Sequence, residues 1–204
     1  RLAGGQFITM VELVAPRGIS AQIELDKAKQ LYFSGIDAIN IPDGPRASAR
    51  MSAMALAATI QREVGIEPVL HYACRDRNVI GIQSDLLGAY ALGVRNILAV
   101  TGDPPKLGNY PDATAVFDVD AIGLVNIINR LNHGLDIAGN PIGPPASMHI
   151  GVAANPGALD LDHELRRLDW KVEAGAEFIV TQPVFDIDVF HQFLKRIEHI
   201  RIPL

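Results

Sequence analysis

Apolar and polar positions along this chain fall into blocks, and three blocks repeat one order: a glycine, a short β-branched apolar run, then a polar residue. They lie at 35–43 (GIDAINIPD), 93–103 (GVRNILAVTGD) and 175–182 (GAEFIVTQ). The glycine suits the left-handed position that closes a helix, and the run after it suits a strand covered on both faces. The preceding segments have helical periodicity, so the repeated unit is a helix followed by a strand. Further candidate strands fall at 7–14, 68–72, 149–153 and 200–204. Candidate helices run from a cap at Ser20 to Gly35, from Ser48 or Ser52 through Ile60, from Asn78 to Gly93, and over 161–174 and 187–197.

The residues at or just past the strand ends are Glu12, Asp43, His71, Asp103, Asn155 and Gln182. Parallel strands separated by helices turn these ends toward one mouth, where barrels gather catalytic groups. The predicted fold is α/β, a (β/α)8 TIM barrel. A complete barrel takes roughly 250 residues. This chain of 204 opens on its first strand and reaches only the start of a seventh. The expectation is therefore one barrel domain over 1–204, truncated, with its C-terminal strands and helices missing. Arg1, with no methionine before it, agrees with a cut from something longer, as it would with a processed N-terminus.

Composition narrows the function classes. Apolar residues make up 49% and charged ones 20%, with a formal net charge of −5, and the basic residues are scattered. That pattern disfavours nucleic acid as a partner and suits a small ligand. No apolar run approaches the ~20 residues that cross a bilayer, so no membrane role is expected. Cys74 is the single cysteine, which precludes an internal disulfide framework and agrees with a cytoplasmic location.

Two loops interrupt the pattern. Residues 101–117 are rich in turn-formers and follow the fourth strand, which places them at the mouth. Residues 133–145 precede the fifth strand and belong to the opposite, structural face.

Glu12 is a carboxylate inside an apolar strand. Buried there, it would hold a proton at neutral pH and serve as an acid; alternatively it is a strand-end glutamate paired with a basic neighbour. Thr101, Gly102 and Asp103 set a hydroxyl, a glycine and a carboxylate at one strand end, either a ligand turn or an ordinary Gly-Asp turn. His71 and Cys74 form an HxxC pair without a second pair, so no metal is expected, and His71 is read as a ligand donor or a satisfied wall residue. Gln182 offers donor and acceptor together to a polar heterocycle, or is structural. Glu164, Arg167 and Lys171 share one helix face, fit either to grip a phosphate and ribose or to form surface ion pairs. No GxGxxG, P-loop or GxSxG motif occurs.

The segments VELVAPRG, PVLHYAC, LAVTGDPP, GVAANP and DWKVEAGAEFIVTQPVFD together resemble the methylenetetrahydrofolate reductase family, over nearly the whole chain. TGDPPKLGNYPDATAVFDVDAIGL is most similar to the reductase half of bifunctional proteins that also carry a homocysteine methyltransferase half. The resemblance implies a flavoprotein of one-carbon metabolism and methionine biosynthesis that reduces 5,10-methylenetetrahydrofolate to 5-methyltetrahydrofolate. Glu12 would be the general acid at folate N10, Asp103 a catalytic and folate-binding carboxylate near flavin and pterin, and Gln182 a folate contact. His71, Thr101, Gly102, Asp103, Asn155, Glu164, Arg167 and Lys171 would line FAD, with NAD(P)H or ferredoxin as electron donor. Threonine at 101 and asparagine at 155 depart from the arginine and the aromatic often found there. A fused or associated methyltransferase and a homo-oligomer are further implied partners. Two other readings remain: a flavin-free pterin-binding methyltransferase, and a non-catalytic barrel fragment or subunit.

Overall fold

Five helices stop in the same way. In the computed structural model, which describes residues 2–204, α1 (Gln22–Phe33), α3 (Val79–Ala91) and α5 (Leu161–Glu173) each end two residues before a glycine of positive φ. At these stops the amide of the residue after the glycine bonds back five positions: Ile36 to the Leu31 carbonyl, Val94 to Ala89 and Ala176 to Lys171. That closure satisfies carbonyls the helix leaves open and needs a left-handed residue, which glycine supplies without a Cβ penalty. Gly65 and Gly134 stand in the same position after α2 (Ala53–Glu63) and α4 (Ala121–Asn132). The sixth helix, α6 (Ile187–Arg196), starts on the Asp186 carboxylate, which accepts the Asp188 and Val189 amides.

Each stop feeds a strand. Among the described residues these are β1 (Met10–Glu12), β2 (Ala38–Ile41), β3 (Glu67–Ala73), β4 (Asn96–Val100), β5 (His149–Ala154) and β6 (Phe178–Thr181). All five pairings are parallel, and the sheet order is β1-β2-β3-β4-β5-β6. A doubly wound sheet reverses its strand order at a switch point; this one advances one place per unit, the winding of a barrel.

The two sheet faces differ accordingly. Ile39, Leu70, Tyr72, Ile97 and Val152 share a core with helix residues such as Leu56, Ile82, Leu124 and Leu168. Residues of opposite parity, Ala38, Val69, Leu98 and Phe178, form a separate cluster with Met10, Val100 and Val180. Helices thus cover one side, and the strands curl around the other as six units of an open half-barrel. Full burial of each large aliphatic side chain on the helix side contributes about 1.5–3 kcal/mol.

Two expectations change, and one stretch that the pattern leaves unassigned holds a helix. The first strand spans only Met10–Glu12 instead of 7–14, because an edge strand pairs on one side and Phe7 projects into solvent. Residues 200–204 form no strand; one bond, from the Ile179 amide to the Pro203 carbonyl at 2.8 Å, ties them to the β6 edge, and Pro203 has no amide to return. Residues 119–132, which the pattern left undivided between two loops, contain α4, capped by Asp120. The loop at 133–145 closes on itself through a bridge between Leu135 and Pro141.

Phe178 packs across Gly151 of the neighbouring strand, 4.8 Å from the His149 ring, and a methyl group on Gly151 would overlap the Phe178 ring. Gly151→Ala is therefore expected to cost about 1–3 kcal/mol by overpacking, seen as a lower urea midpoint that Phe178→Leu partly restores. An unchanged midpoint in Gly151→Ala would contradict this packing.

Candidate active site

Because the strands are parallel and in sequence, their C-terminal ends share one rim. Glu12, the last residue of β1, lies in register with Asn40 of β2. The Asn40 Oδ1 is 3.4 Å from His71 Nε2 on β3, a long hydrogen bond. Glu12, Asn40 and His71 have the parity of Met10, Ala38 and Val69, so they line the inner face. Glu12 is exposed rather than buried, since β1 is the edge of the open sheet. No basic partner engages it among the described residues. His71 is half-buried, and desolvation lowers its pKa from 6.5 to about 4, so the ring is neutral at physiological pH.

The turn after β4 divides its three residues between structure and solvent. Thr101 Oγ1 accepts the Ala121 amide at 3.1 Å, which commits the hydroxyl to the start of α4. Gly102 has φ +91°, and a Cβ there would stand 3.0 Å from Ala73 Cβ and 3.1 Å from Arg75 Cβ. Only glycine fits both the conformation and the space. Asp103 follows, exposed and without a hydrogen-bond or ion-pair partner among the described residues.

The predicted helix face assembles beneath the ends of β4 and β5, but not as surface ion pairs between its own members. Arg167 Nη2 meets Asp120 Oδ2 at 2.7 Å, and Asp120 also caps α4 through the Ile122 and Gly123 amides. Burial opposes ionisation of Asp120, yet the Arg167 hydrogen bond and those amides hold its carboxyl below the usual range. Glu164 Oε1 accepts the Asn155 amide at 3.0 Å, and Asn155 Oδ1 accepts from Gly157, leaving Asn155 in a local turn. Lys171, 6% exposed, donates one hydrogen bond to the Ala153 carbonyl at 2.8 Å. Desolvation pulls its pKa down, with Glu164 acting against that. Two ammonium hydrogens remain without an acceptor among the described residues.

Gln182 follows β6, exposed, with its amide bonded to the Ala154 carbonyl at 2.8 Å. Glu12, Asp103 and Gln182 thus end separate strands without touching one another, and all three are open to solvent.

Asp43 is a different case from the other strand ends. Arg77 Nη1 holds its Oδ2 at 2.6 Å, and the Ala73 amide adds a second bond. Arg77 also reaches Asp85 at 3.1 Å and stacks 4.5 Å from the centre of the Tyr72 ring, whose hydroxyl donates to the same Asp85. Burial pushes the Tyr72 hydroxyl pKa up, while Asp43 raises that of Arg77 against the effect of burial. This network and the buried Arg75 escaped the sequence reading; the signal was CRDRN, basic residues directly after a strand. Cys74 is buried, its thiol pushed up to about 12, and Sγ faces the Val100 carbonyl. No group of three or more potential metal ligands occurs among the described residues, and no described helix is long and apolar enough to cross a membrane.

A cavity of about 1530 Å³ opens at the other end of the strands, between the free edges, against Met10, Ala38, Val69, Phe178 and Ile202. It is lined mainly by apolar groups and lies apart from the polar rim.

A singly wound, parallel half-barrel whose strand ends carry polar groups defines a protein of the α/β barrel type. The family model described as methylenetetrahydrofolate reductase matches residues 1–204, and the chain belongs to that family. It is 28% identical to methylenetetrahydrofolate reductase (NADH) 1 of Arabidopsis thaliana over 181 residues, covering 87% of this chain and 30% of that protein. It is 23% identical to 5,10-methylenetetrahydrofolate reductase of Pectobacterium carotovorum over 158 residues, covering 78% of this chain and 48% of the relative. The chain therefore spans less than half the length of these relatives. Among solved structures, an uncharacterized Clostridium thermocellum protein that binds two copies of 5-methyl-5,6,7,8-tetrahydrofolic acid has a TM-score of 0.61 at 14% identity, with 95% of this chain and 60% of that chain covered. A 2,3-dimethylmalate lyase gives 0.63 at 10%, covering 98% and 68%. Identities this low speak to fold alone.

The His71 environment has a pH consequence. Between its ordinary 6.5 and its folded value of about 4, the unfolded chain binds a proton that the folded chain refuses. Its contribution is fully present above about pH 6.5 and is lost as pH falls toward 4. Relative to His71→Gln, the parent chain is expected to lose on the order of 3 kcal/mol of unfolding free energy across that window, measured by urea titration at each pH. Parallel pH profiles would contradict it.

Proposed function

We propose that the protein carrying this chain reduces 5,10-methylenetetrahydrofolate to 5-methyltetrahydrofolate at the C-terminal mouth of a barrel that its remaining sequence completes to (β/α)8. One observation carries the reading: in a chain that matches the family along its whole length, Glu12, Asn40 and His71 occupy the inner face of three successive strands, beside the Gly102–Asp103 turn.

The residues fit FAD as the cofactor. Lys171 retains ammonium hydrogens for a phosphate or ribose oxygen, Gly102 keeps the strand-end backbone free of a side chain, and neutral His71 offers a ring nitrogen on the inner face. Arg167, Glu164, Asn155 and Thr101 act one step back, fixing the loops and helix starts around Lys171. When bound, the flavin supplies the hydride that converts the methylene carbon to a methyl group. The electron donor is NAD(P)H or ferredoxin.

The chain's own groups handle binding and the proton. Glu12 donates a proton to folate N10 as the N10–methylene bond breaks, opening the five-membered ring to an iminium at N5. Since Glu12 is exposed in the open half-barrel, its role as an acid depends on folate and the completed barrel excluding water from it. Asp103 accepts hydrogen bonds from the pterin edge, and its negative charge stabilises positive charge on the opened ring. Gln182 adds a donor and an acceptor from the last described strand.

Glu12→Gln is the test. With no side-chain partner to lose, the variant is expected to fold and bind flavin normally while its turnover of methylenetetrahydrofolate falls at least about 100-fold. Parent-level turnover in Glu12→Gln would remove Glu12 as the acid, and a parent protein that neither binds flavin nor turns over this folate would overturn the reading.

A further inference from the structure

Arg75 and Lys171 are the buried charged side chains among the described residues. Lys171 belongs to the cluster under β5. Arg75 lies two residues past β3, surrounded by the loops of the mouth. Its Nη1 donates to the Gly44 carbonyl, in the loop after β2, at 3.3 Å, and its Nη2 pairs with Asp76 at 3.3 Å. Its own carbonyl accepts the Val116 amide at 2.9 Å, from the far part of the loop after β4. Gly102 rests against the aliphatic stem, since a Cβ on it would stand 3.1 Å from Arg75 Cβ. From the other side a Cβ on Gly44 would meet Arg75 Nη2 at 2.9 Å.

We infer that Arg75 is a positioning residue for Asp103: by locking the loops after β2, β3 and β4 together, it holds Gly102 in its left-handed turn and aims the Asp103 carboxylate into the mouth. Asp103 has no side-chain partner of its own, so the backbone of the turn alone sets its direction. The inference rests on the folate reductase reading above. A lysine at 75 would keep the charge but lack the planar fork that reaches Gly44 and Asp76 together.

A double-mutant cycle on the protein carrying this chain tests it. Arg75→Met is expected to lower kcat about 100-fold through misplacement of Asp103, with Arg75→Lys recovering only part of the loss. In an Asp103→Asn background the same change should cost less than about threefold. Multiplying losses would overturn the inference, because Arg75 would then act independently of Asp103.

Hydrogen exchange supplies an arm that needs no turnover. In Arg75→Met the Val116 amide is expected to exchange faster, while Val152 on β5 keeps its protection. Unchanged exchange at Val116 would also overturn the inference. Faster exchange in a protein that turns over no methylenetetrahydrofolate would support the anchoring and overturn the functional reading alone. If Arg75→Met does not fold, Gly44→Ala crowds the guanidinium from the opposite side and should give the same exchange change.

Discussion

A parallel sheet covered by helices on one face must still find burial for the other, and that constraint shapes this molecule. Helices satisfy the outer side chains from Ile39 to Val152. The inner side chains have only one another: Ala38, Val69, Leu98 and Phe178 pack together because the sheet curls. Gly151 is the clearest mark of that curl, since its missing side chain gives the Phe178 ring a place beside His149. Apolar packing toward the N-terminal ends of the strands leaves the polar inner positions, Glu12, Asn40 and His71, toward the C-terminal ends.

Most of the charge at those ends is spent on holding loops. Arg77 draws Asp43 and Asp85 together over Tyr72, and Arg167 ties α5 to the cap of α4. Such partly buried pairs satisfy groups that would be costly to leave alone, and they fix geometry more than they add stability. What stays unspent is therefore informative: the exposed carboxylates of Glu12 and Asp103, the amide of Gln182, and the spare hydrogens of Lys171. The first three stand at the opening, each rooted in a different strand, and Lys171 lies on α5 beneath β5.

Much of this was legible in the sequence, for physical reasons that differ by residue. The glycines at 35, 93 and 175 announce a helix stop because few residues accept positive φ, and a parallel strand follows each. Gly102 and Lys171 stand out in the sequence as candidate site residues through family motifs, but their partners do not: the Ala153 carbonyl and the Ala73 side chain are brought there by tertiary packing. The apolar neighbours of Glu12 in sequence leave a buried acid and a strand-end ion pair both open, and its exposure on an edge strand depends on what lies across the sheet. The terminal apolar run at 200–204 has strand composition and forms no ladder, since pairing needs a second strand and Pro203 has no amide to give. Asp43 looked like a free strand end because Arg77, far along the chain, is what occupies it.

The proposed flavin at the polar mouth is tested by titrating the protein carrying this chain with FAD and following the visible absorbance. The account predicts saturable, protein-dependent changes in the flavin bands, with binding weakened at least about tenfold by Lys171→Met through loss of a charge-assisted hydrogen bond. Flavin bands identical to those of free FAD at every protein concentration would contradict it.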